Sequence, residues 1–133
     1  MSRPKTRWRM DWYNGWSPED RCATLPDQRQ AIRDGRIAKP TRCSICGFAP
    51  ADHLGTTNTV WLHDENYADP LAAYHVCRSC HRTLHDRFDH PQPWRELVAR
   101  YGTGGRWFEL LTMDQASLRR PFGLTYPNGL PPN

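Results

Sequence analysis

The chain has 133 residues, 38% of them hydrophobic, with 18 Lys and Arg against 14 Asp and Glu, a net charge of +4 and a pI near 9.0. That length fits one domain, and no run approaches the roughly 20 apolar residues of a bilayer span, which argues against a helical membrane protein. With 12 Pro and 9 Gly the chain is poor in core-forming residues, so a metal staple is a natural substitute for part of a large core.

Residues 1–16 form a basic-aromatic arm in which Arg3, Lys5, Arg7 and Arg9 alternate with Trp8, Trp12, Tyr13 and Trp16. Cations of this kind pair with phosphates, and a tryptophan face stacks on a base. Ser17-Pro18-Glu19-Asp20 supplies an N-cap, a proline at the first helical position and two acids in the first turn, which predicts a helix starting near Pro18. Leu25-Pro26 is expected to interrupt it, with a second short helix over 27–35 that turns Ala31 and Ile32 inward and ends on Gly35. Arg36, Lys39 and Arg42 then make a basic approach, available for phosphate contact, to the first of two cysteine pairs.

Those pairs, Cys43-x2-Cys46 and Cys77-x2-Cys80, offer the four soft ligands of a tetrahedral Zn²⁺ site. Disulfides are the competing use of such cysteines. Met1 is followed by Ser-Arg-Pro-Lys and not by an apolar secretory leader, so the expectation is a cytoplasmic, zinc-bound chain. Cys22 has no C-x2-C companion and is expected to be a buried or free thiol. Between the pairs, residues 58–63 and 71–76 read as two strands of β-branched and aromatic residues. A helical stretch over 78–88 follows, with His81 and His85 four apart on one face and Arg78, Arg82 and Arg87 around it as candidate phosphate contacts. His53, His75 and His90 lack comparable spacing and are read as structural or surface residues.

Trp94, Leu97, Val98 and Tyr101 recur at helical spacing, and a further helix is predicted around Trp107, Phe108, Leu110 and Leu111, so 93–120 reads as C-terminal helices. From Pro121 the Pro/Gly-rich composition predicts an unstructured or loosely docked tail over 121–133, leaving 17–120 as the domain.

The pattern Gly35-Arg36-Ile37, Cys43-x2-Cys46-Gly47, His63-Asp64-Glu65-Asn66-Tyr67, Pro70-Leu71, Cys77-x2-Cys80-His81-x3-His85 resembles the zinc-containing HNH, or His-Me finger, nuclease domain of small phage and bacterial proteins. The similarity covers about residues 35–88. It implies an α+β fold of ββα-metal type, a zinc-stapled hairpin on a helix with flanking N- and C-terminal helices, and a divalent ion such as Mg²⁺, Mn²⁺ or Ni²⁺ between hairpin and helix. It also implies DNA as partner and phosphodiester hydrolysis as activity, with His81, directly after the last zinc cysteine, as a metal ligand. Aligned through Tyr67 and Pro70-Leu71, His63 falls on the metal-ligand position and Asp64 on that of the general base; one extra loop residue instead makes His63 the base and puts Leu62 at the ligand position. An aspartate with an ordinary pKa of about 3.9 is a weak base at neutral pH. The asparagine that orients the base in the family is replaced by Ala72, with Asn66 or His75 as substitutes. His63, Asp64, His81 and His85 remain as an O/N set able to hold a divalent ion. The alternatives carried forward are a non-catalytic zinc module binding DNA or protein, and protein interaction through the tryptophan-rich ends.

Overall fold

The computed structural model describes residues 11–132. Its architecture is α+β: helix α1 (Pro18–Arg33), a two-stranded antiparallel sheet of β1 (Val60–Asp64) and β2 (Ala73–Cys77), then α2 (Arg78–Asp86), α3 (Pro91–Tyr101) and a short α4 (Phe122–Thr125). Three 3-10 turns, Pro50–Asp52, Trp107–Leu110 and Gln115–Leu118, punctuate the connections. Among the described residues no helix is long and apolar enough to cross a membrane.

The expected break at Leu25-Pro26 does not occur, and α1 runs through Pro26 as one helix. Its start is fixed by a reciprocal capping box between Ser17 and Asp20. Its buried stripe is unusually polar, Arg21, Thr24, Gln28 and Ala31, and three of these side chains bond the loop after β1 on either side of the proline. Arg21 Nε donates to the Tyr67 hydroxyl at 3.1 Å, Thr24 Oγ1 to the Tyr67 carbonyl at 3.2 Å, and Gln28 Nε2 to the Pro70 carbonyl at 3.2 Å. These tertiary bonds offset the hydrogen bond that Pro26 cannot make. Gly35, at φ 76°, closes the helix as expected.

The hairpin pairs Val60 with Cys77, Trp61 with Val76, Leu62 with His75, His63 with Tyr74 and Asp64 with Ala73. Because strand side chains alternate, Trp61, His63, Tyr74 and Val76 share one face while Asp64 points to the other. Helix α2 follows β2 without a connecting residue and lies on the His63 face. The core joins Cys43, Ile45, Tyr74, Val76, Cys77, Cys80 and Leu84 to Trp94, Trp107, Phe108, Leu111 and Tyr126. Within it, Tyr74 and Trp107 stack with ring centroids 3.9 Å apart and planes 8° from parallel.

One C-terminal expectation is corrected and a second is narrowed to its docked alternative. Residues 107–118 form two 3-10 turns and no α-helix, with Leu110 half exposed, because the backbone of Thr112 is drawn to tertiary partners. Its carbonyl accepts from Arg87 Nε at 2.8 Å and its N–H donates to the Tyr126 hydroxyl at 3.1 Å. The tail is docked: Tyr126 is buried, Phe122 packs on Trp16 and Tyr126, and the Tyr74 hydroxyl donates to the Pro131 carbonyl at 2.7 Å. Residues 11–16 are likewise part of the folded unit. Tyr13 and Trp16 form a bridge around Asn14-Gly15, both at positive φ (51° and 87°), the geometry a tight two-residue hairpin turn demands. A Cβ on Gly15 would stand 2.7 Å from the Arg120 carbonyl oxygen, so this turn accepts only glycine where it crosses the C-terminal segment.

Candidate metal centre

The cysteine pairs, 30 residues apart in sequence, converge: all four Sγ atoms lie within 4.8 Å of one another, with Cys43, Cys77 and Cys80 buried. Cys46 Sγ and Cys77 Sγ are 3.8 Å apart. That matches the edge of about 3.8 Å of a tetrahedron with 2.3 Å metal–sulfur bonds, so the group fits a zinc site. Each pair is held by ordinary local structure. Cys43 N–H and Gly47 N–H close a tight turn around the first, and Gly47 sits at φ 79°. Cys77 is the N-cap of α2, its sulfur accepting from the Cys80 N–H at 3.5 Å. Four crowded thiols cannot ionise together. Hydrogen bonds from Cys77 and Cys80 draw the Cys43 thiol far down, burial pushes Cys46 up to about 11, and Cys80 is driven far up by its bonds to Cys43 and Cys77. A divalent cation removes that conflict by making every sulfur a ligand.

One turn further along α2 is a second group. His63, His81 and His85 each present a ring nitrogen within 4.8 Å of the others, and all three are buried. His63 Nδ1 lies 3.1 Å from His81 Nε2, and His81 Nε2 lies 3.0 Å from His85 Nε2. These spacings suit a shared cation, since metal–nitrogen bonds of 2.0–2.1 Å give edges of about 2.8–3.4 Å for octahedral to tetrahedral coordination. Burial, with the neighbouring imidazoles and Arg21 and Arg87, holds His85 well below the ordinary histidine range, so it is neutral as a ligand must be. Trp61 meets His81 edge-on at 6.0 Å, and Trp107 lies 6.0 Å from His63.

No family model, curated protein or solved structure matches the chain.

The structure brings His63, His81 and His85 together and sends Asp64 elsewhere. Asp64 sits on the opposite strand face, where its Oδ1 accepts from Gln28 Nε2 at 2.5 Å, and it lies outside both ligand groups. Burial raises its carboxyl to about 6, the nearby Glu65 charge adding to the shift and His63, Gln28 and Arg21 opposing it. Asp64 is therefore a link between β1 and α1, and not a group beside the histidines. Arg87 also departs from expectation. It is wholly buried, donating to the Thr112 and Leu84 carbonyls with its guanidinium 4.3 Å from the Phe88 ring centroid, so it has no free face for phosphate. Arg78 and Arg82 are exposed beside Ser79, Thr57 and Asn58 around a shallow pocket of about 280 Å³ at the start of α2. Arg36, Lys39 and Arg42 are exposed too, Arg36 paired with Asp34 at 3.1 Å and Arg42 bonded to the Gly47 carbonyl at 2.8 Å. Arg3, Lys5, Arg7 and Arg9 lie outside the described residues. Cys22 is an exposed free thiol, Asn66 caps its own turn through Ala68 N–H, and His53 stacks on Phe48.

Sequence reasoning assigned nothing to Glu65, Asn14 or the Tyr13 hydroxyl, yet these surround His63. Glu65 Oε2 lies 2.5 Å from His63 Nε2 and accepts from the Tyr13 hydroxyl, while Glu65 Oε1 and its carbonyl accept from Asn14 Nδ2 at 2.8 and 3.0 Å. The Asn-Gly turn was a legible signal for a tight bend after Tyr13. Nothing local foretold that the turn would meet a glutamate 51 residues away.

Proposed function

We propose that the chain is an HNH-type zinc domain that binds DNA, with Zn²⁺ in the Cys43, Cys46, Cys77 and Cys80 site and a second divalent ion held by His63, His81 and His85, and that it acts as a divergent metal-dependent endonuclease. The observation that carries this reading is the convergence of three imidazole nitrogens where a hairpin meets the helix that begins on the second cysteine pair. The zinc group supports it by tying β2 and the first turn of α2 to the Cys43–Cys46 turn, which sets the position of His81 relative to His63. When bound, an ion at the histidines supplies charge stabilisation for the scissile phosphate and the departing 3′ oxygen. Exposed Arg78 and Arg82 flank the same helix and give backbone phosphates a place to sit without reading sequence. The basic arm joins the described chain at Asp11, two residues before Tyr13, whose ring is 5.1 Å from that of His85.

A second reading has a specific observation in its favour. His63 is engaged at both nitrogens and Asp64 is held by Gln28, so neither position aligned with the family's base faces the histidine group as a free acceptor. A non-catalytic DNA-binding module on this scaffold is thus the competing function. Plasmid nicking with Mg²⁺, Mn²⁺ or Ni²⁺, compared with His63→Ala and His81→Ala, separates the two: metal-dependent cleavage lost in both variants supports the nuclease, and none under any metal leaves the binding module. Duplex affinity should fall linearly with salt on logarithmic axes. A flat salt dependence, or no binding, rejects DNA and points to a protein partner.

A further inference from the structure

Glu65 is the most enclosed carboxylate among the described residues, at 1% exposure, with Tyr13 at 2%, Asn14 at 1% and His63 at 2% around it. Its hydrogen-bonding logic is closed. The Asn14 amide must turn its NH₂ toward Glu65, because both atoms it meets there, Oε1 and the main-chain carbonyl, are acceptors. The Tyr13 phenol is protonated, pushed well above its ordinary range chiefly by burial, and it donates to Oε2. Both carboxylate oxygens of Glu65 are thus already acceptors, Oε1 from Asn14 and Oε2 from Tyr13. A carboxylate surrounded by donors acts as the acceptor toward its third neighbour too, so the His63 nitrogen 2.5 Å away carries the shared proton. A neutral imidazole with its proton on Nε2 has its lone pair on Nδ1, the atom that faces His81.

We propose that Glu65 is a positioning residue for the histidine centre: clamped by Tyr13 and Asn14 from the N-terminal turn, it holds His63 in the Nε2–H tautomer and so presents Nδ1 to a cation shared with His81 and His85. This rests on the metal reading above, and it adds a residue that touches no substrate and acts only through His63. It also gives the tight turn at Asn14-Gly15 a role, since that turn delivers both clamping side chains. The arrangement is the carboxylate–histidine–metal relay in which a ligand's second nitrogen is fixed by an acceptor behind it.

The test uses the full chain with zinc in its cysteine site, titrated with Co²⁺ as the probe for the histidine site. Co²⁺ bound by imidazoles absorbs without a thiolate charge-transfer band, so entry into the cysteine site is recognised separately. In Glu65→Gln, Asn14 still donates to one terminal atom, which selects the oxygen there and turns the new NH₂ toward His63. The imidazole then accepts on Nε2 and carries its proton on Nδ1, against the cation. Co²⁺ affinity should fall about 10–100-fold, and ¹⁵N spectra of His63 taken before Co²⁺ is added should change from the Nε2–H to the Nδ1–H pattern. Tyr13→Phe, which keeps the ring and loses one donor, should show a smaller loss with the tautomer retained. Retention of zinc by the cysteines reports that each variant is folded. Equal Co²⁺ affinity in Glu65→Gln with His63 still protonated on Nε2 overturns the inference and leaves the metal reading intact. No Co²⁺ binding by the unaltered chain overturns the metal reading; the ¹⁵N pattern then decides the orienting role alone, a mixture of tautomers in the unaltered chain rejecting it and the expected switch upholding it.

Discussion

Replacing Arg87 with Met tests whether a buried cation stabilises the centre from below. Arg87 is fully buried, donates from Nε to the Thr112 carbonyl and from Nη1 to the Leu84 carbonyl, both at 2.8 Å, and is the cationic neighbour that favours ionised Glu65. Methionine keeps much of the volume and the contact with the Phe88 and Trp94 rings, so the packing loss is small. What is lost is two donors and one charge. The Thr112 carbonyl, left without its side-chain partner, costs about 1–3 kcal/mol, while the Leu84 carbonyl keeps the backbone N–H of residue 87 at 3.4 Å; the lost attraction between the guanidinium and Glu65 puts the total toward the upper end of that range. Against a whole-domain stability of about 5–15 kcal/mol that is a large fraction. Denaturant unfolding of the zinc-loaded chain should show it as a lower midpoint with an unchanged slope. Adding Glu65→Gln should recover part of the loss, because the carboxylate that the guanidinium attracts is then neutral; the recovery measures the Arg87–Glu65 coupling. A change below about 1 kcal/mol for Arg87→Met, the range of surface substitutions, would show that the guanidinium is solvated and that the burial argument is wrong.

Three other outcomes are expected. Metal analysis should return one zinc tied to the cysteine group, absent from Cys43→Ser and Cys80→Ser, and chelation should collapse the near-UV signal, because structural zinc contributes about 10–16 kcal/mol; a metal-free chain that stays folded refutes the site. Pro26→Ala should stabilise α1 by about 2 kcal/mol, the roughly 3 kcal/mol cost of an interior proline less about 1 for the freer unfolded chain; Pro26 is exposed, so no packing opposes the change, and a lower melting temperature would contradict this. Glu109 accepts from the amides of Thr103, Gly104 and Arg106, with the Arg106 bond foremost in holding its carboxyl below the ordinary 4.5. Its folded value being the lower one, the stabilisation is present above about pH 4.5 and disappears as pH falls through that depressed value. The melting-temperature gap to Glu109→Gln should therefore exist at neutral pH and close in acid, and a gap that persists there would exclude the carboxylate as its source.

The reading of this chain from its residues succeeded where information is local. Two C-x2-C spacings announced a cysteine group that fits zinc, β-branched and aromatic runs announced the hairpin to within two residues, and Ser17-Pro18 announced the start of α1. The His81-x3-His85 spacing put two imidazoles on one helical face before any tertiary contact was known. Register was harder, because in a strand a shift of one residue exchanges the faces: which of His63 and Asp64 joins those imidazoles depends on pairing with β2, and the pairing chose His63. Tertiary hydrogen bonds also overrode local signals, carrying α1 through Pro26, unwinding 107–118 at Thr112 and docking the proline-rich tail. Glu65 was visible only as one more acid in a polar loop. Its place behind His63 is set by Tyr13 and Asn14, 52 and 51 residues earlier, and contacts at that separation exist only once the chain has closed on itself.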